Sequence, residues 1–239
     1  MHTSVFLAST GFQFINFQKL WALFLKYWDK FLIDGVEFTL LISAVTVLFG
    51  AVLAALLALM KMSRVLPLRW LATVYVEIIR GTPMLLQLYF FYFGLPMLIP
   101  ALTKQKLLCI CIALICNSAA YLSEVIRSGI QAVDPGQTEA ALSLGFNRRQ
   151  TMRHIVLPQA VKNILPALGN EFIMIVKDSS LASTFFAGDL MTQYLLVKGT
   201  SMLPIEPLVI VAVIYFIMTF VLSKIFGVLE RRLGRSDRT

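Results

Sequence analysis

Residues 134–158 read DPGQTEAALSLGFNRRQTMRHIVLP, and this stretch decides how the rest of the chain is interpreted. Asp134 suits a helix N-cap, Pro135 suits the first helical position, and Gln137 stands at the spacing of a capping box. Gly145 can take the left-handed conformation that ends a helix. The stretch therefore predicts a short helix over about 135–145.

The remainder of the stretch predicts a second helix start. Asn147 begins it, and Pro158 is expected to break this second helix, because proline removes a donor and its ring clashes with the preceding turn. The first helix would present a face of small residues, Ala140 and Ala141. A short, rigid helix of this kind suits the groove of a partner protein. A plain connector is the alternative that these residues leave open.

The sequence around this stretch is apolar. The chain has 239 residues, of which 58% are hydrophobic and 14% charged, with a mean hydropathy of +0.79. Soluble domains carry about a quarter charged residues. Several apolar runs exceed the roughly 18 residues needed to cross a bilayer. The composition predicts an all-α integral membrane protein.

Five apolar runs predict transmembrane helices, and the second has a break near Gly81-Thr82-Pro83. The runs are 35–60, 68–93, 107–129, 164–186 and 205–228. Residues 14–32 mix aromatic and aliphatic side chains with lysines, which predicts an amphipathic helix on the membrane surface. A sixth span is the competing interpretation, but Lys26, Lys30 and Asp34 would make it costly.

Loop charge predicts the orientation. With the second, fourth and final soluble segments in the cytosol, twelve of the 21 basic residues lie inside and six outside, and three lie in spans. Cytosolic loops carry such an excess. The N-terminus is then outside and the C-terminus inside. The expected divisions are an extracytoplasmic segment 1–34, a transmembrane domain 35–229 and a cytosolic tail 230–239.

The motifs together resemble those of a known family. E-A-A at 139–141, glycine at 145 and I-V-L-P at 155–158 have the spacing of the EAA motif of bacterial ABC importer permeases. R-G-T-P at 80–83, L-G-N-E-F at 168–172 and K-D-S-S-L-A at 177–182 resemble the subfamily for polar amino acids and opines. The resemblance extends from about residue 35 to the C-terminus. It implies the type I importer fold.

The resemblance also implies partners. In that family the EAA segment is a coupling helix that docks on the ATPase, so Glu139, Ala140, Ala141 and Gly145 are expected at that contact. The chain has no G-x-x-x-x-G-K-[ST] phosphate loop, so ATP and Mg²⁺ are expected on the partner and no catalytic site here. The expected assembly has two ATPase copies, a second permease copy or homologue and an outside amino-acid-binding protein. It would lie among the lipids of the bacterial cytoplasmic membrane.

Charged residues within the predicted spans are candidates for the transport path. Each would cost about 2.5–3.5 kcal/mol facing lipid, so they are expected to face protein or water. Glu77 and Arg80 are three residues apart, as are Glu124 and Arg127, so each pair can neutralise itself. The second pair lies near the cytosolic interface and is interpreted as structural.

Lys177 and Asp178 are adjacent and point about 100° apart, so they pair poorly with each other. At about twelve residues into the fourth span they are expected near mid-bilayer. A cation and a carboxylate at that depth suit the two charges of an amino acid. Together with Glu171 they are the first candidates for substrate contact. An interhelical ion pair is the alternative.

Pro83 supplies a second group of candidates. It frees the carbonyl of Ile79, so backbone groups near the break could meet a polar substrate. Arg80, Thr82, Gln87 and Glu77 lie near this break and are candidate substrate contacts.

The residues do not indicate a metal site, nucleophilic catalysis or nucleic-acid binding. The lone His154 and the three cysteines in one apolar run lack metal-ligand partners, and Ser179 lacks a histidine base. No basic stripe interleaved with aromatics suggests nucleic acid. An ion-coupled secondary transporter that uses Glu77 or Asp178 is the main competing function, although no internal repeat is evident.

Overall fold

The computed structural model describes residues 17–235, and every regular element within that range is helical. The α-helices are α1 Phe17–Asp29, α2 Val36–Met62, α3 Leu66–Arg80, α4 Met84–Tyr89, α5 Leu95–Leu98, α6 Lys106–Gln131, α7 Pro135–Ser143, α8 Arg148–Thr151, α9 Leu157–Asp178, α10 Leu190–Ser201 and α11 Glu206–Arg235. Wider π-helical turns form Lys30–Gly35, Phe90–Gly94 and Met152–Val156, and tighter 3-10 turns form Pro100–Lys104 and Ser179–Phe185. The predicted all-α class is confirmed.

Three helical runs in the described range are long and apolar enough to cross a membrane, namely Phe17–Met62, Lys106–Gln131 and Glu206–Arg231. They contain the predicted first and third spans and all but the first residue of the fifth. The second predicted span is interrupted at Gly81–Pro83, as expected. The fourth differs from the prediction, because its α-helix ends at Asp178 and a 3-10 turn continues to Phe185.

The N-terminal helix and the first span are continuous, with no loop between them. α1 has one non-helical residue, Tyr27, and the π-helical turn Lys30–Gly35 leads directly into α2. The whole run has 46 residues, which at 1.5 Å per residue is about twice the thickness of a bilayer core. Part of the run must therefore lie outside the hydrocarbon. The surface position predicted for 14–32 stays a prediction, and residues 14–16 lie outside the described range.

Pro158 does not break the helix, contrary to the prediction. The chain remains helical from Arg148 to Asp178, with a π-helical turn at Met152–Val156 immediately before α9. A wider turn accommodates the missing N–H and the bulk of the ring. Pro166 is likewise tolerated inside α9.

The described chain forms two compact units, one of residues 17–41 with 179–220 and one of residues 42–178 with 221–235. They do not follow the divisions predicted at 34/35 and 229/230, which stay predictions.

In the first unit, the N-terminus of α10 is organised by Asp189. Its buried carboxylate accepts hydrogen bonds from the Met191 N–H at 3.0 Å and the Thr192 hydroxyl at 2.5 Å. The Thr39 hydroxyl of α2 accepts the Leu190 N–H at 3.0 Å. Burial raises the pKa of the Asp189 carboxyl to about 6, although both hydrogen bonds to its side chain oppose the rise.

In the second unit, α6 is the central helix and packs against α3, α4 and α9. Small residues allow close approach. A side chain at Gly129 of α6 would clash with Ile164 of α9, and one at Gly169 would meet the Phe226 ring at 2.7 Å. All the predicted site residues belong to this unit.

Candidate functional site

The short helix predicted from the sequence is α7, and its own residues define both ends. The Asp134 carboxylate accepts the Gly136 N–H at 2.8 Å. At the other end Gly145 has φ +89°, the Gly145 N–H donates to Leu142 O at 3.0 Å, and the Phe146 N–H donates to Ala141 O at 3.1 Å. These two bonds form a Schellman motif, which requires a residue with positive φ.

The capping box predicted at Asp134 and Gln137 does not form. The Asp134 carboxylate bonds to Gly136 rather than to Gln137. The reciprocal box forms instead at α8, where Asn147 and Gln150 exchange side-chain to backbone bonds at 2.9 Å in both directions. The predicted second start at Asn147 is thus confirmed.

α7 presents an exposed surface at its C-terminal end. Ala141 is buried, whereas Glu139, Ala140 and Gly145 are exposed. Leu144 is 79% exposed and Leu142 is 42% exposed. Exposed apolar side chains at the end of a helix that is predicted to lie in the cytosol are typical of a contact surface. Sequence reasoning missed both leucines, because spacing alone does not reveal which side of α7 packs on the bundle.

The Glu124 cluster lies at the C-terminal end of α6, near α7. Glu124 accepts from Lys61 of α2 through one oxygen and from Arg127 through the other, at 2.7 Å to Nη2 and 3.0 Å to Nε. Arg127 Nη1 also donates to Gln131 at 2.7 Å. The predicted Glu124–Arg127 pair is confirmed, and Lys61 is a partner that the sequence did not reveal.

The predicted Glu77–Arg80 pair does not form. Among residues 17–235 no ion pair joins these two side chains, and both are exposed. The Arg80 guanidinium lies instead over the Tyr121 ring of α6, 5.4 Å from its centre. A cation–π contact holds a guanidinium without neutralising it, so Arg80 keeps its charge at the end of α3.

The carbonyls freed by Pro83 are occupied by side chains of this chain. Gln87 Nε2 donates to Ile79 O at 2.7 Å and to Thr82 O at 3.0 Å, and its Oε1 accepts from Asn117 of α6 at 2.9 Å. The Thr82 hydroxyl donates to Ile78 O at 2.9 Å. The Ile79 carbonyl is therefore not left free, because it accepts from the buried Gln87 amide, and the substrate contacts predicted around the break stay predictions.

Lys177 and Asp178 lie at the last turn of α9 rather than inside a longer α-helix. Glu171 is two turns earlier, on the same side as Asp178. Among the side chains of residues 17–231 none of these three has an ion-pair partner within 4.0 Å or a side-chain hydrogen bond. The sequence missed Asn170, which is exposed next to Glu171.

The predicted substrate residues therefore fall into two groups. Arg80, Thr82 and Gln87 surround the break after α3, and Glu171, Lys177 and Asp178 form the polar end of α9. The helices α3 and α9, which carry these two groups, both pack on α6. No hydrogen bond or ion pair in the described range joins one group to the other, so neither group neutralises the charges of the other.

Comparison with known proteins supports the family resemblance. The family described as "Binding-protein-dependent transport system inner membrane component" matches residues 20–235. The arginine transport system permease protein ArtQ of Bacillus subtilis is 40% identical over 207 residues, covering 87% of this chain and 94% of that protein. A second protein of that bacterium, named "Probable glutamine ABC transporter permease protein GlnM", is 41% identical over 203 residues, covering 85% and 93%.

A solved structure supports the fold. A chain in the crystal structure of an amino acid ABC transporter with histidines is 43% identical, with a TM-score of 0.82 over 91% of this chain and 99% of that one. The predicted importer fold is therefore confirmed. The family match spans both compact units and almost the whole described range. This chain belongs to the family of binding-protein-dependent transport system inner membrane components.

Proposed function

We propose that this chain is the membrane permease subunit of an ATP-binding cassette importer for polar amino acids. The polar side of α9 carries the proposal. Glu171, Lys177 and Asp178 have no ion pair or side-chain hydrogen bond among the described side chains, and each would cost about 2.5–3.5 kcal/mol facing lipid. Side chains of both signs on one helix suit the ammonium and carboxylate of an amino acid. Relatives named for arginine and glutamine support this substrate class.

The surface of α7 supports an ATPase partner. Glu139, Ala140 and Gly145 are exposed beside Leu144, and the capped ends of the helix keep its shape fixed. We assign this surface to a separate ATPase subunit, present in two copies, which binds ATP and Mg²⁺. The permease itself would supply no catalytic group. Movement of α7 with the ATPase would be transmitted to α9 through the π-helical turn that α7 contacts.

The remaining partners are inferred from the family name, which specifies a binding protein. An extracytoplasmic binding protein would deliver the amino acid, and a second permease copy or a homologue would complete the path. The N-terminus would lie outside the bacterial cytoplasmic membrane and the C-terminus in the cytosol. The excess of basic residues on the α7 side supports this orientation.

The test is uptake into vesicles that contain the permease, its ATPase and its binding protein. Each polar amino acid is supplied with ATP, or with an ion gradient alone. Asp178→Asn should lower ATP-dependent uptake at least about tenfold, the loss expected for one charged hydrogen bond to the substrate. Its thermal midpoint should not fall, because Asp178 has no ion pair or side-chain hydrogen bond to lose among the side chains that the structure describes. Uptake driven by the gradient alone would instead support a secondary transporter.

Asp34→Asn is the matched control. It removes the same charge from an exposed pair with Lys30, at 2.7 Å. Exposed pairs contribute little to stability, so both uptake and the thermal midpoint should stay at the wild-type value. Equal loss of uptake in the two variants would contradict a substrate role for Asp178.

A further inference from the structure

A polar cavity lies at the end of the second unit from which α7 emerges. Its volume is about 430 Å³. It is lined by Lys61, Met62, Ser63, Arg69, Thr73, Arg127 and Gln131, which come from the end of α2, the start of α3 and the end of α6. α7 begins at Pro135, shortly after Gln131. The cavity and the surface assigned to the ATPase therefore lie at the same end of the bundle.

The cavity keeps a positive charge. Lys61 and Arg127 share the single carboxylate of Glu124. Arg69 has no ion-pair partner among the side chains of residues 17–231, so no described carboxylate compensates its guanidinium charge. α3 begins at Leu66 with no acidic residue in its first turn, and the positive end of its dipole adds to this potential. A ligand of this cavity is therefore an anion.

An apolar cavity continues from the polar one. It has a volume of about 470 Å³, shares Arg69 and Thr73, and is otherwise lined by Leu66, Pro67 and Trp70. Trp70 is 68% exposed and Leu66 is 69% exposed. Tryptophan is enriched where a membrane protein meets the interface between lipid and water. The two cavities together suit a molecule with an anionic head and an apolar chain.

We propose that these cavities bind one anionic phospholipid. Its phosphate lies at Arg69, and one acyl chain lies along Leu66 and Trp70. Basic pockets between transmembrane helices on the cytosolic side bind anionic headgroups by the same chemistry. A free phosphate ion fits the polar cavity but leaves Leu66 and Trp70 in water. The ATPase is a poorer occupant, because Trp70 lies in the segment 68–93, which the sequence predicts to enter the membrane.

Quenching of Trp70 fluorescence tests the proposal. The chain has three tryptophans, so Trp21→Phe with Trp28→Phe leaves Trp70 alone. The whole transporter is placed in vesicles with rising fractions of brominated phosphatidylglycerol or brominated phosphatidylcholine, and the signal of the same transporter with Trp70→Phe is subtracted to remove the tryptophans of the other subunits. The anionic lipid should quench at about fivefold lower mole fraction, the effect of roughly one basic residue at a membrane surface. Arg69→Gln should remove this preference, and Arg69→Lys should retain it.

Lys104→Gln is the matched control. It removes one exposed positive charge from the turn before α6, at the opposite end of that helix from Gln131. The preference for the anionic lipid should persist in this variant. None of these readouts depends on transport. The quenching experiment can therefore reject the lipid site without rejecting the proposed function, and the uptake experiment can reject the function without rejecting the lipid site.

Three outcomes would overturn the proposal. If the two brominated lipids quench Trp70 equally when Arg69 is intact, the proposed site for an anionic lipid is rejected. Relief of quenching by inorganic phosphate, but not by chloride at equal ionic strength, would show a phosphate site. An Arg69→Gln variant that keeps the lipid preference but loses its ATPase subunit would assign this surface to the ATPase.

Discussion

Glu124 and Asp178 are carboxylates in the same helical unit, and their surroundings are opposite. Glu124 accepts hydrogen bonds from Lys61 and Arg127, so its charge is neutralised within the chain. Asp178 has no ion pair or side-chain hydrogen bond in the described range. A charge that the fold already neutralises contributes to the structure. A charge that the fold leaves without a partner can bind something else.

Gln87 shows that position along the sequence does not decide this distinction. It lies near the break after α3, where a substrate contact is predicted, yet its amide has four hydrogen-bond partners within the chain. By its surroundings it resembles Glu124 more than Asp178. Whether a residue near the predicted path is structural or available to a substrate therefore depends on its hydrogen-bond partners and not on its position in the sequence.

The largest effect on stability is expected for Glu124→Gln. The substitution leaves Lys61 and Arg127 close together without a neutralising carboxylate. We expect a loss of about 3 kcal/mol in the free energy of unfolding. This value is at the lower end of the range for breaking a buried ion pair, because these side chains are partly exposed. Thermal unfolding in detergent measures it. Glu77→Gln, at an exposed and unpaired residue, should leave the midpoint unchanged, and a similar fall there would contradict the distinction between paired and unpaired carboxylates.

Asp189 adds a third kind of carboxylate, because it is buried with hydrogen bonds but has no cation partner among the side chains of residues 17–231. Its pKa is raised from 3.8 to about 6, so the folded chain holds the proton more tightly than the unfolded chain. Stability from this group is therefore full below about pH 4 and lost as pH rises to about 6. Two pKa units correspond to about 3 kcal/mol.

Asp189→Asn should remove this dependence. An asparagine can accept the Met191 N–H and donate to the Thr192 hydroxyl, so the cap is kept without the titrating group. The stability of the variant relative to wild type should rise by up to about 3 kcal/mol between pH 4 and pH 7. Parallel stability curves for the two proteins over that range would show that another group titrates.

The smallest expected effect is that of Gln87→Leu. It leaves the Ile79 carbonyl and the Asn117 amide buried without partners, at a cost of about 2 kcal/mol. Thermal unfolding is again the measurement, with Gln105→Leu at an exposed position as the control. Unchanged stability with lost amino-acid uptake would move Gln87 into the same class as Asp178.

The sequence predicted the helical class, the break at Gly81–Pro83, the short helix α7 and the family. It was wrong about Pro158 and about the Glu77–Arg80 pair. The first depends on the π-helical turn that precedes Pro158 in the chain, and the second on the Tyr121 ring of a neighbouring helix. A spacing of three residues permits an ion pair, but a neighbouring helix can offer a competing contact.

The features that the sequence determines by itself are local, because they depend on residues only a few positions apart. The ends of α7 depend on Asp134 and Gly145, because capping bonds join residues only a few positions apart. The lengths of the apolar runs likewise fix which segments can cross a bilayer. Helix packing, by contrast, determines which polar groups have partners. Lys61 meets Glu124 across 63 positions of the chain, and Gln87 meets Asn117 across 30. No local pattern of residues specifies contacts over such separations, because they depend on which helices lie side by side.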